Sequence, residues 1–349
     1  MPRERLRHAL ATGGLVLSSI LAVSAVLELG VRVFGDPSGG HKDILAQSAQ
    51  ARAKSVHVKS EDPELIYVTR PSYATNGVRM SEAHGILRSV DVGERKPPGT
   101  FRIVVLGDSI TAGHPLRVGG TACFAEHLEQ RLNARGGSPR VEVLNFGTDG
   151  YGTAQEARLL ETSASRFDPD VVLIAYCLND PANSYTPTIW FLDDKRPASY
   201  LLDLVRRRLG RTPSELSPAH PRYTHGAIDW DRLYEVDGPA WAGVEQAMAR
   251  VARYGEARRV PVVFLVFPLL LTGNEPPAER DQAAKMYAQV RDAARRSGFQ
   301  FVDLGPAFSR YAAPQLRLIP DDPIHPNALG HREAAEAILA VLDAERLVP

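Results

Sequence analysis

Short apolar runs alternate with helix-like segments along the chain after Thr100, and this alternation limits the possible folds more than any other feature. Strands are predicted at Phe101–Leu106, Val141–Phe146, Val171–Tyr176, Val260–Phe267 and Phe299–Leu304. Helices are predicted near Ala122–Ala134, Ala154–Arg166, Ala240–Arg259, Ala278–Ser297 and Ala328–Asp343. Almost continuously apolar strands that alternate with helices are typical of a parallel sheet buried on both faces. We therefore predict an α/β fold, a three-layer αβα sandwich around a parallel sheet of about five strands.

The first predicted strand ends at Gly107-Asp108-Ser109, and Gly113 follows four residues after the serine. A buried strand that stops at such residues turns sharply toward a helix. Open α/β sheets bind their ligands at the carboxyl ends of the strands, so Ser109 is a candidate nucleophile. The alternative is that Asp108 and Ser109 only close the turn and cap the next helix.

A serine nucleophile needs a base, a group that orients the base and donors for the developing oxyanion. His325 stands out among the ten histidines because it lies in a proline-containing loop just before the last predicted helix. Asp322, three residues earlier, can reach the same imidazole, hold its tautomer and stabilise the imidazolium. The simpler interpretation is a loop-closing aspartate followed by a structural histidine.

Two further segments follow predicted strands at the same edge of the sheet. The segment from Asn145 to Gly152 contains glycines, which let a backbone amide approach a ligand closely. The segment from Tyr176 to Asp180 places Asn179 where its side-chain amide can donate to an oxyanion. Each segment alone is a weak signal, but with the serine turn and the Asp-x-x-His loop they indicate one catalytic site.

These four segments, in this order, resemble the conserved blocks of the SGNH (GDSL-type) hydrolase superfamily. The resemblance extends from about Phe101 to the carboxyl terminus. It implies a flavodoxin-like sandwich and a serine hydrolase that acts on ester bonds without a metal or other cofactor.

The resemblance also implies a role for each matching residue. Ser109 corresponds to the nucleophile, His325 to the general base and Asp322 to the partner of that base. The oxyanion hole would consist of the backbone amides of Ser109 and Gly150 and the side chain of Asn179. The sequence thus predicts a catalytic triad and three oxyanion donors.

Three positions complicate the match. Gly147 competes with Gly150 for the oxyanion role, because the spacing in that loop varies. The serine block has Ile110 where the family has leucine, which is a conservative change. Cys177 stands where the family usually has glycine, and cysteine is small enough to keep the turn.

The amino terminus carries three arginines before an uncharged, mostly apolar segment of 19 residues from Ala9 to Leu27. That length, at about 1.5 Å per residue, is enough to cross the hydrocarbon core, and the arginines predict a cytoplasmic amino terminus. We therefore predict a membrane anchor within residues 1–35 and an extracytoplasmic catalytic domain. The anchor followed by Leu27–Arg32, together with the segment Lys96–Ile103, resembles membrane-anchored bacterial members of the superfamily. The alternative is a signal peptide cleaved near Val23-Ser24-Ala25, which would leave a secreted or periplasmic protein.

Residues 36–100 are polar and interrupted by prolines and glycines, and we interpret them as a linker and an edge extension. Leu65–Val68 predicts a short strand there, without a chemical role. The hydrolase domain is predicted to span residues 101–349. Within it, residues 181–240 form an insertion rich in Pro, Tyr, Trp and Arg, which is expected to be a lid or a substrate wall.

The charge balance argues against one class of partner. Lys plus Arg and Asp plus Glu each number 41, so the net charge is zero and no overall field attracts nucleic acid. Cys123 and Cys177 lie in apolar segments without metal-ligand spacing and are expected to be free thiols. The resemblance implies an ester substrate, either carbohydrate or lipid, and the amino-terminal segment predicts a membrane as the other partner.

The expected function is a serine esterase that acts on carboxylic esters, with O-acetyl groups on carbohydrate among the candidates, through an acyl-enzyme on Ser109. An alternative is an O-acyltransferase that acylates an envelope or exported polysaccharide, which a water-excluding insertion would favour. A second alternative is a non-catalytic binding domain with the same fold.

Overall fold

The computed structural model describes residues 2–34, 56–113, 116–117, 119–181, 199, 201–202, 205, 230–320 and 322–349. The chain divides into two compact units. One unit comprises Met1–Lys54 and Trp190–Pro218, and the other comprises Ser55–Ile189 and Ala219–Pro349. Most of the predicted insertion at 181–240 lies outside the described residues, and with it the prediction of a lid.

In the described part of the first unit, residues Pro2–Phe34 form a long helix, α1. Its stretch from Thr12 to Val31 has a mean hydropathy of 2.1, and none of it is buried. The helix is therefore long and apolar enough to cross a membrane, although a signal sequence would have the same properties. Near its end, the Glu28 carboxylate accepts hydrogen bonds from Ser199 Oγ (2.8 Å) and the Leu201 amide (2.9 Å).

The second unit is built on a five-stranded sheet and two small antiparallel pairs. The strands are β1 (His57–Lys59), β2 (Tyr67–Thr69), β3 (Ala74–Thr75), β4 (Val78–Arg79), β5 (Thr100–Gly107), β6 (Arg140–Asn145), β7 (Val171–Tyr176), β8 (Val262–Val266) and β9 (Gln300–Asp303). The large sheet has the order β6-β5-β7-β8-β9, and all its neighbours are parallel. This architecture confirms the predicted α/β fold.

Helices cover both faces of this sheet. They are α2 (Ser109–Ala112), α3 (Phe124–Asn133), α4 (Thr153–Thr162), α5 (Trp230–Leu233), α6 (Pro239–Arg258), α7 (Pro277–Arg296), α8 (Gly305–Phe308), α9 (Ala313–Leu316) and α10 (Ala328–Ala344). Helix α3 packs against α10, and α4 packs against α6. The predicted helix at Ala154–Arg166 is divided, because α4 ends at Thr162 and a 3₁₀ turn follows at Ala164–Phe167.

Strand β5 explains why the strands appear in the sequence as continuous apolar runs. Its residues Ile103–Leu106 are completely buried, although successive side chains point to opposite faces of the sheet. Ile103 and Val105 belong to the core that α3 and α10 cover. A strand buried on both faces has no polar alternation, which is the pattern that the sequence displays.

The strand order also places the ligand site. The chain leaves β5 toward β6 on one side and later returns to β7 on the other side. In doubly wound sheets, ligands bind where the order reverses, beyond the carboxyl ends of the strands. The carboxyl ends of β5, β6 and β7 therefore form the edge at which a site is expected.

The outer edge of β6 is bonded to side chains of α3. Asn133 donates to the Val141 carbonyl (2.8 Å) and accepts from the Val141 amide (2.9 Å). Glu129 accepts from the Val143 amide at 2.6 Å. These side chains take the positions that a neighbouring strand would otherwise occupy.

The segment before β5 completes the same edge. The Arg88 guanidinium donates to the Val143 carbonyl at 3.3 Å, and the Leu87 amide donates to the Asn145 carbonyl at 2.8 Å. Further back in this segment, β1 pairs with β2, and β2 overlaps the strand predicted at Leu65–Val68. Residues 56–99 thus pack on the sheet domain rather than extending away from it.

Candidate active site

Ser109 is the first residue of α2, immediately after β5. Asp108 caps the helix, because its Oδ1 accepts a hydrogen bond from the Ile110 amide at 2.9 Å. The Ser109 hydroxyl does not cap the helix. Its Oγ lies 2.8 Å from Nε2 of His325, 216 residues later in the chain. The capping interpretation therefore holds for Asp108, and the serine hydroxyl faces a base.

The other ring nitrogen of His325 contacts Asp322. Nδ1 lies 2.6 Å from Asp322 Oδ2, and Oδ1 accepts hydrogen bonds from the amides of Ile324 (2.8 Å) and His325 (3.3 Å). Burial alone would raise the pKa of Asp322, but these amide bonds and the imidazole outweigh it and lower the pKa. The carboxylate thus stays ionised and places a proton on Nδ1, which leaves the Nε2 lone pair toward the serine.

The loop that carries this pair is anchored from both sides. Asn327 caps α10 and donates through Nδ2 to the carbonyls of Gln315 (2.8 Å) and Arg317 (3.2 Å). The Leu270 amide, beyond β8, donates to the Pro323 carbonyl at 2.7 Å. The imidazole therefore sits on a loop tied to two other parts of the domain.

The three predicted oxyanion donors lie at the edge formed by β5, β6 and β7. Ser109 follows β5, Gly150 lies in the loop after β6 and Asn179 lies in the loop after β7. Among the described residues, none forms a hydrogen bond with either backbone amide or with the Asn179 side-chain NH₂. All three groups are thus available to a substrate.

The geometry distinguishes between the two candidate glycines. The Gly147 amide already donates to Asn145 Oδ1 at 2.8 Å. A Cβ at Gly147 would lie 2.4 Å from the Ala112 nitrogen, so glycine is needed there for close packing. Gly150 has a φ of +74° and an amide without a partner in the described part of the chain. Gly150 is therefore the better candidate for the oxyanion donor.

Asp180 holds the turn that carries Asn179. Its Oδ1 accepts from the Cys177 amide (3.2 Å), and its own amide donates to the Cys177 carbonyl (2.9 Å). Tyr234, which follows α5, donates to the Leu178 carbonyl at 2.8 Å. Cys177 is buried, and the turn closes with cysteine at this position.

Sequence reasoning missed a group of three buried carboxyls beside the site, Asp108, Glu156 and Asp180. Burial raises the pKa of Asp108 to about 6 and that of Glu156 well above its ordinary value, and Asp108 raises the Glu156 pKa further. Asp180 also has a raised pKa, because of burial and of Glu156, even though Thr153 Oγ1 donates to it at 3.0 Å. No sequence signal distinguishes Glu156 from a glutamate on the exposed side of a helix.

We expect Glu156→Gln to stabilise the protein increasingly as the pH rises. Above the ordinary glutamate pKa of 4.5, the unfolded wild-type chain releases this proton while the folded chain retains it. The wild type therefore loses stability from this group with rising pH until its folded pKa is passed, and the glutamine variant lacks this contribution. Thermal unfolding of both proteins from about pH 4.5 to about pH 8 measures the difference.

Glu161 on the same helix provides a matched control. A hydrogen bond from Arg250 lowers the Glu161 pKa, so Glu161→Gln should lose stability relative to the wild type as the pH rises from acid. A difference between Glu156→Gln and the wild type that stays constant with pH would contradict the prediction.

Comparison with known proteins gives a family and a set of similar folds. The sequence model of the GDSL-like Lipase/Acylhydrolase family matches residues 105–333. No curated protein matches the chain.

Three solved structures represent the similar folds. LAE5, an alpha/beta hydrolase from the metagenome of Lake Arreo in Spain, is 20% identical with a TM-score of 0.46, over 70% of this chain and 95% of that one. Axe2, an acetylxylan esterase from Geobacillus stearothermophilus, is 16% identical with a TM-score of 0.43, over 69% and 93%. The acetyl xylan esterase AlAXEase is 15% identical with a TM-score of 0.44, over 69% and 100%.

Proposed function

Since the chain belongs to the GDSL-like lipase/acylhydrolase family of ester-hydrolysing enzymes, we propose that it cleaves carboxylic esters through an acyl-enzyme on Ser109. The observation that carries the proposal is the chain of contacts from Ser109 Oγ to His325 Nε2 (2.8 Å) and from His325 Nδ1 to Asp322 Oδ2 (2.6 Å). This is the order of nucleophile, base and orienting carboxylate that nucleophilic catalysis needs.

In the first half of the reaction, Ser109 Oγ attacks the ester carbonyl and His325 Nε2 takes its proton. The amides of Ser109 and Gly150 and the Asn179 side chain bind the oxyanion, and Asp322 stabilises the imidazolium. His325 then gives the proton to the departing alcohol. In the second half, water attacks the acyl-enzyme by the same route, and the carboxylic acid leaves.

Two measurements on the full-length protein test this proposal. Hydrolysis of a short-chain aryl ester reports the reaction, and a fluorophosphonate probe, mapped by mass spectrometry, reports the reactive serine. The proposal predicts hydrolysis and a label on Ser109. A protein that neither hydrolyses the ester nor reacts with the probe would instead be the non-catalytic binding domain.

We expect Asn179→Ala to lower kcat by about 100- to 1,000-fold, because one of three oxyanion donors is lost. KM and the unfolding temperature should change little, since the amide NH₂ has no partner in the described structure. Steady-state kinetics and thermal unfolding measure the two effects. Asn274→Ala, in an exposed loop, is the control, and equal kcat values for the two variants would remove Asn179 from the oxyanion hole.

The substrate and the acyl acceptor form the finer part of the proposal. A panel of acetylated polysaccharides and longer-chain lipid esters separates the carbohydrate substrate class from the lipid class. Measuring how the acyl group divides between free acid and acylated sugar separates a hydrolase from an O-acyltransferase. Hydrolysis is the primary proposal because the family that matches is one of ester-hydrolysing enzymes.

For localisation, we propose an uncleaved anchor with a cytoplasmic amino terminus and an extracytoplasmic catalytic domain. Three amino-terminal arginines precede an apolar helical stretch of 20 residues, which supports this orientation. Membrane fractionation followed by sequencing of the mature amino terminus is the test. A soluble mature chain that begins just after Ala25 would establish the signal peptide instead.

A further inference from the structure

The Gly150 amide belongs to the peptide bond that joins Asp149 to Gly150. The carbonyl oxygen of the same peptide accepts a hydrogen bond from the Tyr67 hydroxyl at 2.6 Å. Because the peptide group is planar and trans, its C=O and N–H point in opposite directions. A group that fixes the carbonyl therefore also fixes the direction of the N–H.

Tyr67 is firmly held. It is completely buried in β2, where it pairs with Lys59 of β1. The hydroxyl of Tyr151, directly after Gly150, donates to the backbone carbonyl of Tyr67, and the two rings lie 5.3 Å apart. Two tyrosine hydroxyls thus link the segment before β5 to the loop after β6. The Tyr67 hydroxyl donates to a backbone carbonyl of the loop, and the Tyr151 hydroxyl donates to a backbone carbonyl of the segment.

The loop needs such an external restraint. Gly150 has a φ of +74°, in a region of backbone space that glycine enters and leaves easily. Its amide has no partner among the described residues that would hold its direction. A hydrogen bond to the carbonyl also polarises the peptide group and strengthens its N–H as a donor.

We infer that Tyr67 is a positioning residue, which aims the Gly150 amide into the oxyanion hole by holding the carbonyl of the same peptide. The inference rests on the proposed function. Tyr67 lies outside residues 105–333, so this contact comes from a part of the chain that the family match does not include. The segment at 56–99 thereby contributes to catalysis as well as to packing.

The test is Tyr67→Phe in the full-length protein, which removes one oxygen atom. We expect kcat for an aryl ester to fall about tenfold with KM within twofold, a smaller loss than deletion of an oxyanion donor causes. Tyr151→Phe is the matched control, because it removes the other hydroxyl of the pair and leaves the bond to the Asp149 carbonyl. It should lower the unfolding temperature by a similar amount and lower kcat less than Tyr67→Phe does, because it reaches the Asp149–Gly150 peptide only through Tyr67.

A second measurement does not depend on how much of the variant folds. A thionoester develops negative charge on sulfur, which accepts hydrogen bonds poorly, so the ratio of kcat/KM for the ester to that for the thionoester reports the oxyanion hole. The ratio should fall further in Tyr67→Phe than in Tyr151→Phe. An unchanged ratio in Tyr67→Phe, or equal changes in both variants, would overturn the inference.

The wild-type enzyme distinguishes this failure from failure of the proposed function. If Ser109→Ala abolishes ester hydrolysis but Tyr67→Phe has the wild-type ratio of ester to thionoester kcat/KM, the inference alone is wrong. If hydrolysis by the wild type does not depend on Ser109, the proposed function is wrong and the inference goes with it.

Discussion

Ser109→Ala is expected to lower kcat for a short-chain aryl ester by roughly 10⁶-fold, the scale of the loss when a serine protease loses its nucleophile. The Ser109 hydroxyl contacts His325 Nε2 (2.8 Å) and the Asp108 carboxylate (3.4 Å). Neither contact holds the fold together, since Asp108 caps α2 through its other oxygen. The unfolding temperature should therefore change little while the activity disappears.

Ser165 offers a control of the same chemistry. It is half-buried like Ser109, but its hydroxyl donates only to the Glu161 carbonyl. Ser165→Ala should keep the wild-type kcat and react fully with a fluorophosphonate probe. Ser109→Ala should lose both the activity and the reaction with the probe. Activity retained in Ser109→Ala would show that another residue is the nucleophile.

The second large effect is expected for Asp322→Asn, which should lower kcat at neutral pH by roughly 10⁴-fold. An amide at this position can donate to Nδ1 and thus favours the wrong imidazole tautomer, with the proton on Nε2 facing Ser109. The lowered pKa of Asp322 means that the wild-type carboxylate stays charged well below neutral pH. The pH–rate profile of wild type and variant, with single-turnover acylation, measures the loss.

Asp322→Asn should also lower the free energy of unfolding at neutral pH. A carboxylate with a lowered pKa stabilises the fold above its ordinary pKa of 3.8, and that contribution is lost as the pH falls through the folded pKa. Asp343→Asn in α10 removes a carboxylate that pairs with Arg135 at the surface and serves as the control. If the two variants have equal kcat values, Asp322 does not orient the base.

The sequence predicts most of the fold because burial on both faces leaves a clear signal. Strand β7 has the bounds predicted for it, Val171–Tyr176. The predicted helix from Ala154 fails only at its end, where Ser163 leaves helical geometry and Asp168 adopts a φ of +49°. Such chain ends depend on local backbone geometry, which apolar periodicity does not encode.

Candidate site residues leave a sequence signal where they belong to a short motif, and they leave none where they act through a backbone contact or through burial. Asp322 and His325 lie three residues apart, so a loop pattern and a family resemblance both indicate them. Tyr67 lies 82 residues from Asp149 and bonds to its backbone, a contact that leaves no trace in the identity of either side chain. Glu156 is hidden for another reason, because its burial depends on how α4 packs rather than on the residue type.

The bonded edge of β6 has a consequence for how copies of this protein behave toward one another. An open edge strand invites a second chain to add its own strand, which is a common route to aggregation. Here the Asn133 side chain bonds to the Val141 amide and carbonyl, and the Glu129 carboxylate accepts from the Val143 amide. Residues 87–88 donate to the carbonyls of Val143 and Asn145. A chain trimmed to begin at Thr100 would uncover those carbonyls and become prone to self-association.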